Sequence, residues 1–206
     1  MPHFRMSSPV ALICALAPLA LASPAARADD PIAMRTQAEH PLASARLNRP
    51  DGSDAGQVTF TETPNGVLIE AELTGLPEGE HGFHIHETGS CSPDFTAAGG
   101  HMTAGTDEAG LDMTGVLNDI DEGDAVHGFE REAGPHPGDM PNIHVPESGV
   151  LHIEVLNARV SFEGENALFD ADGSALIIHS GADDYETQPS GDAGNRIACG
   201  VIEREM

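Results

Sequence analysis

The chain has 206 residues, of which 34 are Asp or Glu and 9 are Arg, with no lysine, so its formal net charge is −25 at pH 7. A surface this acidic repels nucleic acids and anionic membranes and argues against both as partners. Keeping the protein soluble is by itself a sufficient reason for such a charge.

The first 28 residues have the layout of a secretory signal peptide. Arg5 precedes an apolar run at residues 9–23, and an A-x-A cleavage site follows at residues 26–28. The apolar run is too short for a membrane-spanning helix. We therefore predict cleavage before Asp29, which leaves 178 residues and a net charge of −27, and a periplasmic or secreted location. An uncleaved anchor is the alternative.

Two cysteines, Cys91 and Cys199, remain once Cys14 leaves with the leader. In an oxidising compartment, two cysteines most simply form one disulfide. A pair of thiolate metal ligands is the alternative. Their distance in sequence and the presence of 11 histidines in the chain make it less favourable.

The mature chain is long enough for one domain with a hydrophobic core. Residues 29–41 show no periodicity and are expected to be a flexible lead-in, and residues 42–206 form the domain. Alternation of apolar and polar residues, with turn signals between the runs, predicts strands at 42–47, 58–61, 67–73, 82–87, 151–155, 158–162, 174–179 and 196–202. With no amphipathic helix, this pattern indicates an all-β sandwich or barrel.

Two stretches interrupt the strands. Residues 88–149 contain many Gly, Pro and Asp and no sustained alternation, and residues 180–195 form a second, shorter loop. A loop as long as the first is unusual in a compact domain unless something other than a core holds it, and metal ligation is one such means.

The strand predicted at 82–87 carries His84 and His86. Side chains alternate between the faces of a strand, so the two imidazoles project from one face, about 7 Å apart, while Phe83 and Ile85 enter the other. Neutral imidazole suits copper or zinc. The pair therefore indicates a candidate metal site, and the alternative is two histidines on a solvated face.

Four stretches together resemble the copper, zinc superoxide dismutases of the bacterial secreted type, over roughly residues 42–203. They are residues 82–87 (GFHIHE), 98–101 (AGGH), 134–142 (GPHPGDMPN) and 191–200 (GDAGNRIACG). The resemblance implies a Greek-key β-barrel of about eight antiparallel strands with two long functional loops. It also implies bound copper and zinc ions.

The resemblance further implies two ligand sets that share one histidine. The copper set is His84, His86, His101 and His179. The zinc set is His101, His127, His136 and Asp139. These residue types agree with the metals, because four imidazoles suit Cu(II), and three imidazoles with one carboxylate suit tetrahedral zinc.

Three further assignments follow from the resemblance. Asp183 is expected to hydrogen-bond one copper histidine and one zinc histidine, and a solvated charge is the alternative. Arg196 is expected to dock the superoxide anion at the copper channel. Cys91 and Cys199 match the intrasubunit disulfide of the family. The histidines at 81, 144 and 152 match no ligand position, so we expect a structural role for the first and surface positions for the others.

The implied activity is superoxide dismutation, in which one superoxide is oxidised to oxygen and a second is reduced to hydrogen peroxide as copper alternates between Cu(II) and Cu(I). His101 supplies a proton to the peroxide, and zinc acts as a rigid template. The alternative is an exported, non-catalytic copper-binding protein on the same fold, which needs neither Arg196 nor a shared histidine. A homodimer is compatible with the sequence, which does not fix the oligomeric state.

The chain departs from the family pattern in two places. The acidic segment 102–126 is longer than relatives usually have, and we expect a surface insertion, which could still shift His127 or add a carboxylate to zinc. The loop at 180–195 is acidic and lacks the lysines that often attract the anion in relatives. We therefore predict a weak or reversed salt dependence of turnover.

Overall fold

The structure is a computed structural model that describes residues 43–103 and 126–205. The predicted leader, the lead-in and nearly all of the acidic segment 102–126 lie outside the described residues. Within the described ranges, no helix is long and apolar enough to span a membrane.

Regular structure in these ranges consists of ten strands and one short 3₁₀ helix at Phe95–Ala98. The strands are β1 (Ala43–Asn48), β2 (Asp54–Thr63), β3 (Gly66–Thr74), β4 (Gly79–His81), β5 (Phe83–His86), β6 (Ile143–Val145), β7 (Val150–Asn157), β8 (Ala175–His179), β9 (Arg196–Val201) and β10 (Glu203–Arg204). Every strand pair is antiparallel. The predicted all-β antiparallel fold is confirmed.

The larger sheet curls around one hydrophobic core. Its strands follow the order β5, β8, β9, β1, β2, β3 and β7, with β10 paired to β1, while β4 and β6 form a separate pair. Phe60 on β2 and Ile69 on β3 share a buried cluster with Phe83 on β5 and Leu176 on β8. Strands far apart in the sheet order fill one core here because the sheet curls, so that its two ends face each other across that core. Burying each of these side chains contributes roughly 1.5 to 3 kcal/mol.

The alternation predicted a strand at residues 158–162, but β7 ends at Asn157 and no strand follows there. The Asn157 side chain accepts a hydrogen bond from the backbone N–H of Arg159 at 2.9 Å and donates one to the carbonyl of Pro137 at 2.9 Å. Such local bonds offer the backbone an alternative to a ladder. The prediction was therefore wrong for this segment.

The predicted disulfide between Cys91 and Cys199 is confirmed, with its partners 108 positions apart. Cys199 lies on β9, and Cys91 lies in the loop that follows β5. Both pack against a small apolar cluster that includes Ala98 and Ile177. The bond therefore fastens the segment around the 3₁₀ helix to the strand that begins with Arg196.

Candidate metal centre

Strand β5 sends its side chains into two different environments. Phe83 and Ile85 belong to the hydrophobic core, whereas His84 and His86 are buried on the opposite face. Gly82 precedes them, and a Cβ atom there would lie 2.9 Å from Cε1 of His84. The glycine therefore leaves room for the first imidazole.

The free edge of β5 binds the two loop segments that carry further ligands. Backbone N–H of Ile85 donates to the carbonyl of Gly138 at 2.9 Å, and its carbonyl accepts from the N–H of Met102 at 2.9 Å. A Cβ atom on Gly138 would lie 2.2 Å from the Ile85 carbonyl oxygen, so only glycine permits this approach. These bonds place His101 and Asp139, the chain neighbours of Met102 and Gly138, beside the strand histidines.

Strand β8 brings in the fourth imidazole of the copper set. It pairs with β5 so that Ile178 faces Phe83, and the N–H of His179 donates to the carbonyl of Gly82 at 2.9 Å. The ring centroid of His179 lies 5.0 Å from that of His84. One ligand-type nitrogen from each member of the copper set lies within 4.8 Å of the others.

Asp139 organises the zinc set. Its Oδ1 lies 2.8 Å from Nδ1 of His101, 3.0 Å from Nδ1 of His127 and 3.6 Å from Nδ1 of His136. For zinc–ligand distances of about 2.0 to 2.1 Å, neighbouring donors of a tetrahedron are roughly 3.3 Å apart. Oδ2 accepts backbone N–H bonds from Gly128 and His136, both at 3.0 Å. The carboxylate is therefore held rigidly at the spacing that zinc needs.

Six buried ring nitrogens of the two sets make no hydrogen bond of acceptable geometry among the described residues, although Nδ1 of His127 lies near Asp139. They are Nδ1 of His84, His127 and His136, and Nε2 of His86, His101 and His179. Buried polar atoms are normally paired, so a concentration of unpaired ring nitrogens is unusual. Imidazole nitrogens are ligands for both copper and zinc. The donor set therefore fits the two ions.

Asp183 joins the two sets. Its Oδ2 lies 2.8 Å from Nε2 of His84, and its Oδ1 lies 2.9 Å from Nε2 of His127. The side-chain amide of Asn142 donates to the Asp183 carbonyl at 2.8 Å and accepts from its N–H at 2.9 Å. One carboxylate thus contacts a ring of each set, and a neighbouring amide fixes its backbone.

The two sets differ in their electrostatics. Burial, which disfavours positive charge, lowers the pKa of His86 to about 2, of His179 to about 3 and of His101 to about 4. Burial also opposes charge on His127, but the carboxylates of Asp139 and Asp183 raise its pKa to about 9. Before metal binds, His127 therefore carries a proton at pH 7, whereas the other three rings are neutral.

Arg196 is connected to the copper set through one shared carbonyl group, that of Gly99. Its Nη1 donates to the carbonyl of Phe95 at 2.5 Å and its Nη2 to the carbonyl of Gly99 at 2.5 Å. The same Gly99 oxygen accepts a bond from Nδ1 of His86 at 3.1 Å. The guanidinium is therefore tied to the loop that orients a copper-set ring.

The remaining histidines lie where the sequence predicted them. His81 is buried, with its ring nitrogens 2.8 and 3.0 Å from the carbonyls of His179 and Pro77. His144 and His152 are exposed. The sequence did not single out Asn142 and Gln188 as functional. Asn142 lies in the motif at residues 134–142, which could have drawn attention to it. No sequence signal marks Gln188, an exposed glutamine in a loop.

The curled antiparallel sheet and the two sets define a class of protein: an all-β metalloprotein in which a copper-type and a zinc-type site share one histidine. A family model described as copper/zinc superoxide dismutase (SODC) matches residues 54–202. The chain therefore belongs to the copper/zinc superoxide dismutase family.

Individual relatives agree with this membership. The Cu-Zn superoxide dismutase of Caulobacter vibrioides is 42% identical over 166 residues, which cover 78% of this chain and 85% of the relative. The Cu-Zn superoxide dismutase 1 of Aquifex aeolicus is 40% identical over 156 residues, which cover 74% and 82%. The crystal structure of a double mutant of a SOD-like protein from Bacillus subtilis superposes with a TM-score of 0.65 at 37% identity, covering 77% of this chain and 95% of that one.

Proposed function

We propose that this chain converts superoxide to oxygen and hydrogen peroxide, with copper held by the copper set and zinc by the zinc set. When bound, copper supplies the redox chemistry, oxidising one superoxide and reducing the next, and zinc supplies fixed positive charge. The single observation that carries the proposal is the position of His101. Its Nδ1 lies against Asp139 in the zinc set, while its Nε2 is one of the unpaired nitrogens of the copper set.

His101 is the residue that we assign to proton transfer. Reduction of superoxide to hydrogen peroxide consumes two protons, and Nε2 of His101 is the atom suited to hold and release one of them. The side chain is 2% exposed, and its Nδ1 contact with Asp139 fixes its orientation. The same ring can therefore return to one position after each turnover.

Arg196 is the residue that we assign to docking the superoxide anion. A guanidinium stays charged and carries five N–H groups, of which two are used by the carbonyls of Phe95 and Gly99. The remaining donors make no hydrogen bond to the described residues, and we assign them to binding the anion. A copper-binding protein without catalysis would require neither this arginine nor the shared histidine, so that alternative is not favoured.

The test combines metal analysis with an assay of superoxide consumption. We expect one copper and one zinc per chain in the wild type. Turnover should fall by about 100-fold or more in His101→Ala, because proton transfer typically contributes 10²- to 10⁴-fold and the substitution also removes a ligand from both sets. His144→Ala is the matched control, because His144 is an exposed histidine outside both sets. A wild-type protein that holds both metals and consumes no superoxide contradicts the proposed function.

We also propose that the protein is exported. Residues 1–28 are the leader that is removed, residues 29–41 are a lead-in, and residues 42–206 are the catalytic domain. The disulfide supports this proposal, because such bonds persist in oxidising compartments. The intact mass of protein from the periplasmic or extracellular fraction should correspond to a chain that begins at Asp29. Light scattering on the same sample distinguishes a monomer from a homodimer.

A further inference from the structure

The side chain of Gln188 forms two hydrogen bonds with the backbone of the zinc-set residue His127. Its Oε1 accepts the N–H of His127 at 2.9 Å, and its Nε2 donates to the carbonyl of His127 at 2.8 Å. A second bond from Nε2 reaches the carbonyl of Glu186 at 3.0 Å. The amide thus pairs with both polar groups of one residue, as a neighbouring strand does.

The surrounding contacts show that the two loops approach closely at this point. The ring of Phe129 lies 5.4 Å from that of Tyr185, edge to face. Gly128 has a φ of +106°, and a Cβ atom there would lie 1.9 Å from the Tyr185 carbonyl oxygen. Glycine therefore lets the segment after His127 lie against the segment that precedes Gln188.

His127 needs an anchor of this kind. Its backbone lies outside the strands, so no ladder bonds hold it. His84, by contrast, is held in β5 between ladder bonds. The ring of His127 is fully buried, and its Nδ1 and Nε2 must face Asp139 and Asp183 at the same time. Fixing its backbone determines whether both contacts form.

We propose that Gln188 is a positioning residue for zinc, acting through the backbone of His127. The inference rests on the proposed function only in taking His127 as a zinc ligand. A glutamine suits the role because it can accept from the N–H and donate to the carbonyl at once. A carboxylate at this position would face the His127 carbonyl with a second acceptor.

Gln188→Met tests the proposal, because methionine is of similar length and lacks the amide. Partners that orient metal ligands typically contribute 10- to 100-fold to metal affinity, so we expect the dissociation constant for zinc, measured by chelator competition, to rise by about 10-fold or more. The absorption spectrum of Co²⁺ bound in place of zinc should change as well. The electron paramagnetic resonance spectrum of bound Cu²⁺ should stay unchanged. Gln57→Met, on an exposed residue of β2, is the matched control and should leave both measurements unchanged.

A second measurement does not depend on any variant. Hydrogen exchange of the wild-type backbone should show protection of the His127 amide before zinc is added. Exchange at the rate of an unstructured amide, or wild-type zinc affinity and Co²⁺ spectrum in Gln188→Met, overturns the inference. Wild-type protein that binds zinc through His127 but consumes no superoxide contradicts the proposed function and leaves this inference standing.

Discussion

The two halves of the metal centre are built by different means. Three members of the copper set, His84, His86 and His179, lie on the adjacent strands β5 and β8, whose ladder fixes their spacing. All four members of the zinc set, including the shared His101, come from the connection between β5 and β6. Hydrogen bonds rather than a ladder position them.

This difference in construction is accompanied by a difference in charge. Burial on the strands keeps the rings of His86 and His179 neutral, whereas His127 faces two carboxylates. Strand pairing thus positions the ligands of the copper set, whereas carboxylate contacts position those of the zinc set. Changes to covalent or ladder contacts should therefore affect mainly the first, and changes to carboxylates mainly the second.

Removal of the disulfide has the largest expected effect. Closing a loop of 108 residues contributes about 4 to 5 kcal/mol to the free energy of unfolding in the chain-entropy model. Cys91→Ser combined with Cys199→Ser should lose that amount in denaturant titrations with metals chelated. Reduction of the wild type is the control and should produce a similar loss. Because the bond fastens the loop that binds Arg196, turnover should fall while zinc affinity is retained. Loss of zinc with turnover intact contradicts the comparison.

Asp183→Asn tests the connection between the halves. An asparagine offers one acceptor and one donor, so it can serve only one of the two ring nitrogens, Nε2 of His84 or Nε2 of His127, that the carboxylate now contacts. Affinity for the metal on the unserved side should fall by about 10- to 100-fold. Chelator competition for each metal measures it. Asp184→Asn, on an exposed neighbour, controls for the loss of charge and should change neither affinity. Unchanged binding of both metals by Asp183→Asn shows that the halves are independent.

How much of this centre could be predicted follows from the same contrast. The period of two in β5 placed His84 and His86 on one face without further information. No periodicity could bring together His101, His127 and Asp139, because loop conformation depends on contacts that are distant in sequence. Their grouping came from the resemblance alone.

Other features were beyond the sequence for physical reasons. Gln188 is an exposed polar residue in a loop, and only the folded structure shows that its amide pairs with the backbone of His127. The strand predicted at 158–162 was wrong because the side chain of Asn157 turns the chain. Alternation of apolar residues does not register such local hydrogen bonds.

Proton release on metal binding should distinguish the copper set from the zinc set, and we expect this effect to be of intermediate size. The pKa of His127 is raised to about 9, so its charge stabilises the metal-free protein below about pH 6.5, and that contribution is lost as pH rises through 9. Zinc requires the neutral ring, so zinc affinity should rise about 10-fold per pH unit between pH 7 and 9 and then level off. Calorimetry in two buffers should count about one proton released from this residue.

Copper binding provides the contrast for that experiment. The pKa values of His86 and His179 lie at about 2 and about 3, so these rings are already neutral above pH 5 and release no protons when copper binds. A copper affinity that rises with pH as steeply as that of zinc contradicts the electrostatic difference between the halves.

The salt dependence of turnover has the smallest expected effect. In our proposal Arg196 attracts the anion over a short range. The carboxylates of Asp94 and Glu87 lie near it, and the loop at 180–195 adds exposed acidic groups such as Asp184 and Glu186. Basic loops can accelerate association by 10- to 1000-fold at low salt, and this loop cannot. Turnover measured from low to high ionic strength should therefore change by less than about 3-fold, or rise, because salt screens repulsion as well as attraction. Glu186→Lys should convert that profile into a fall with added salt. A steep fall in the wild type shows instead that Arg196 dominates the field despite its acidic surroundings.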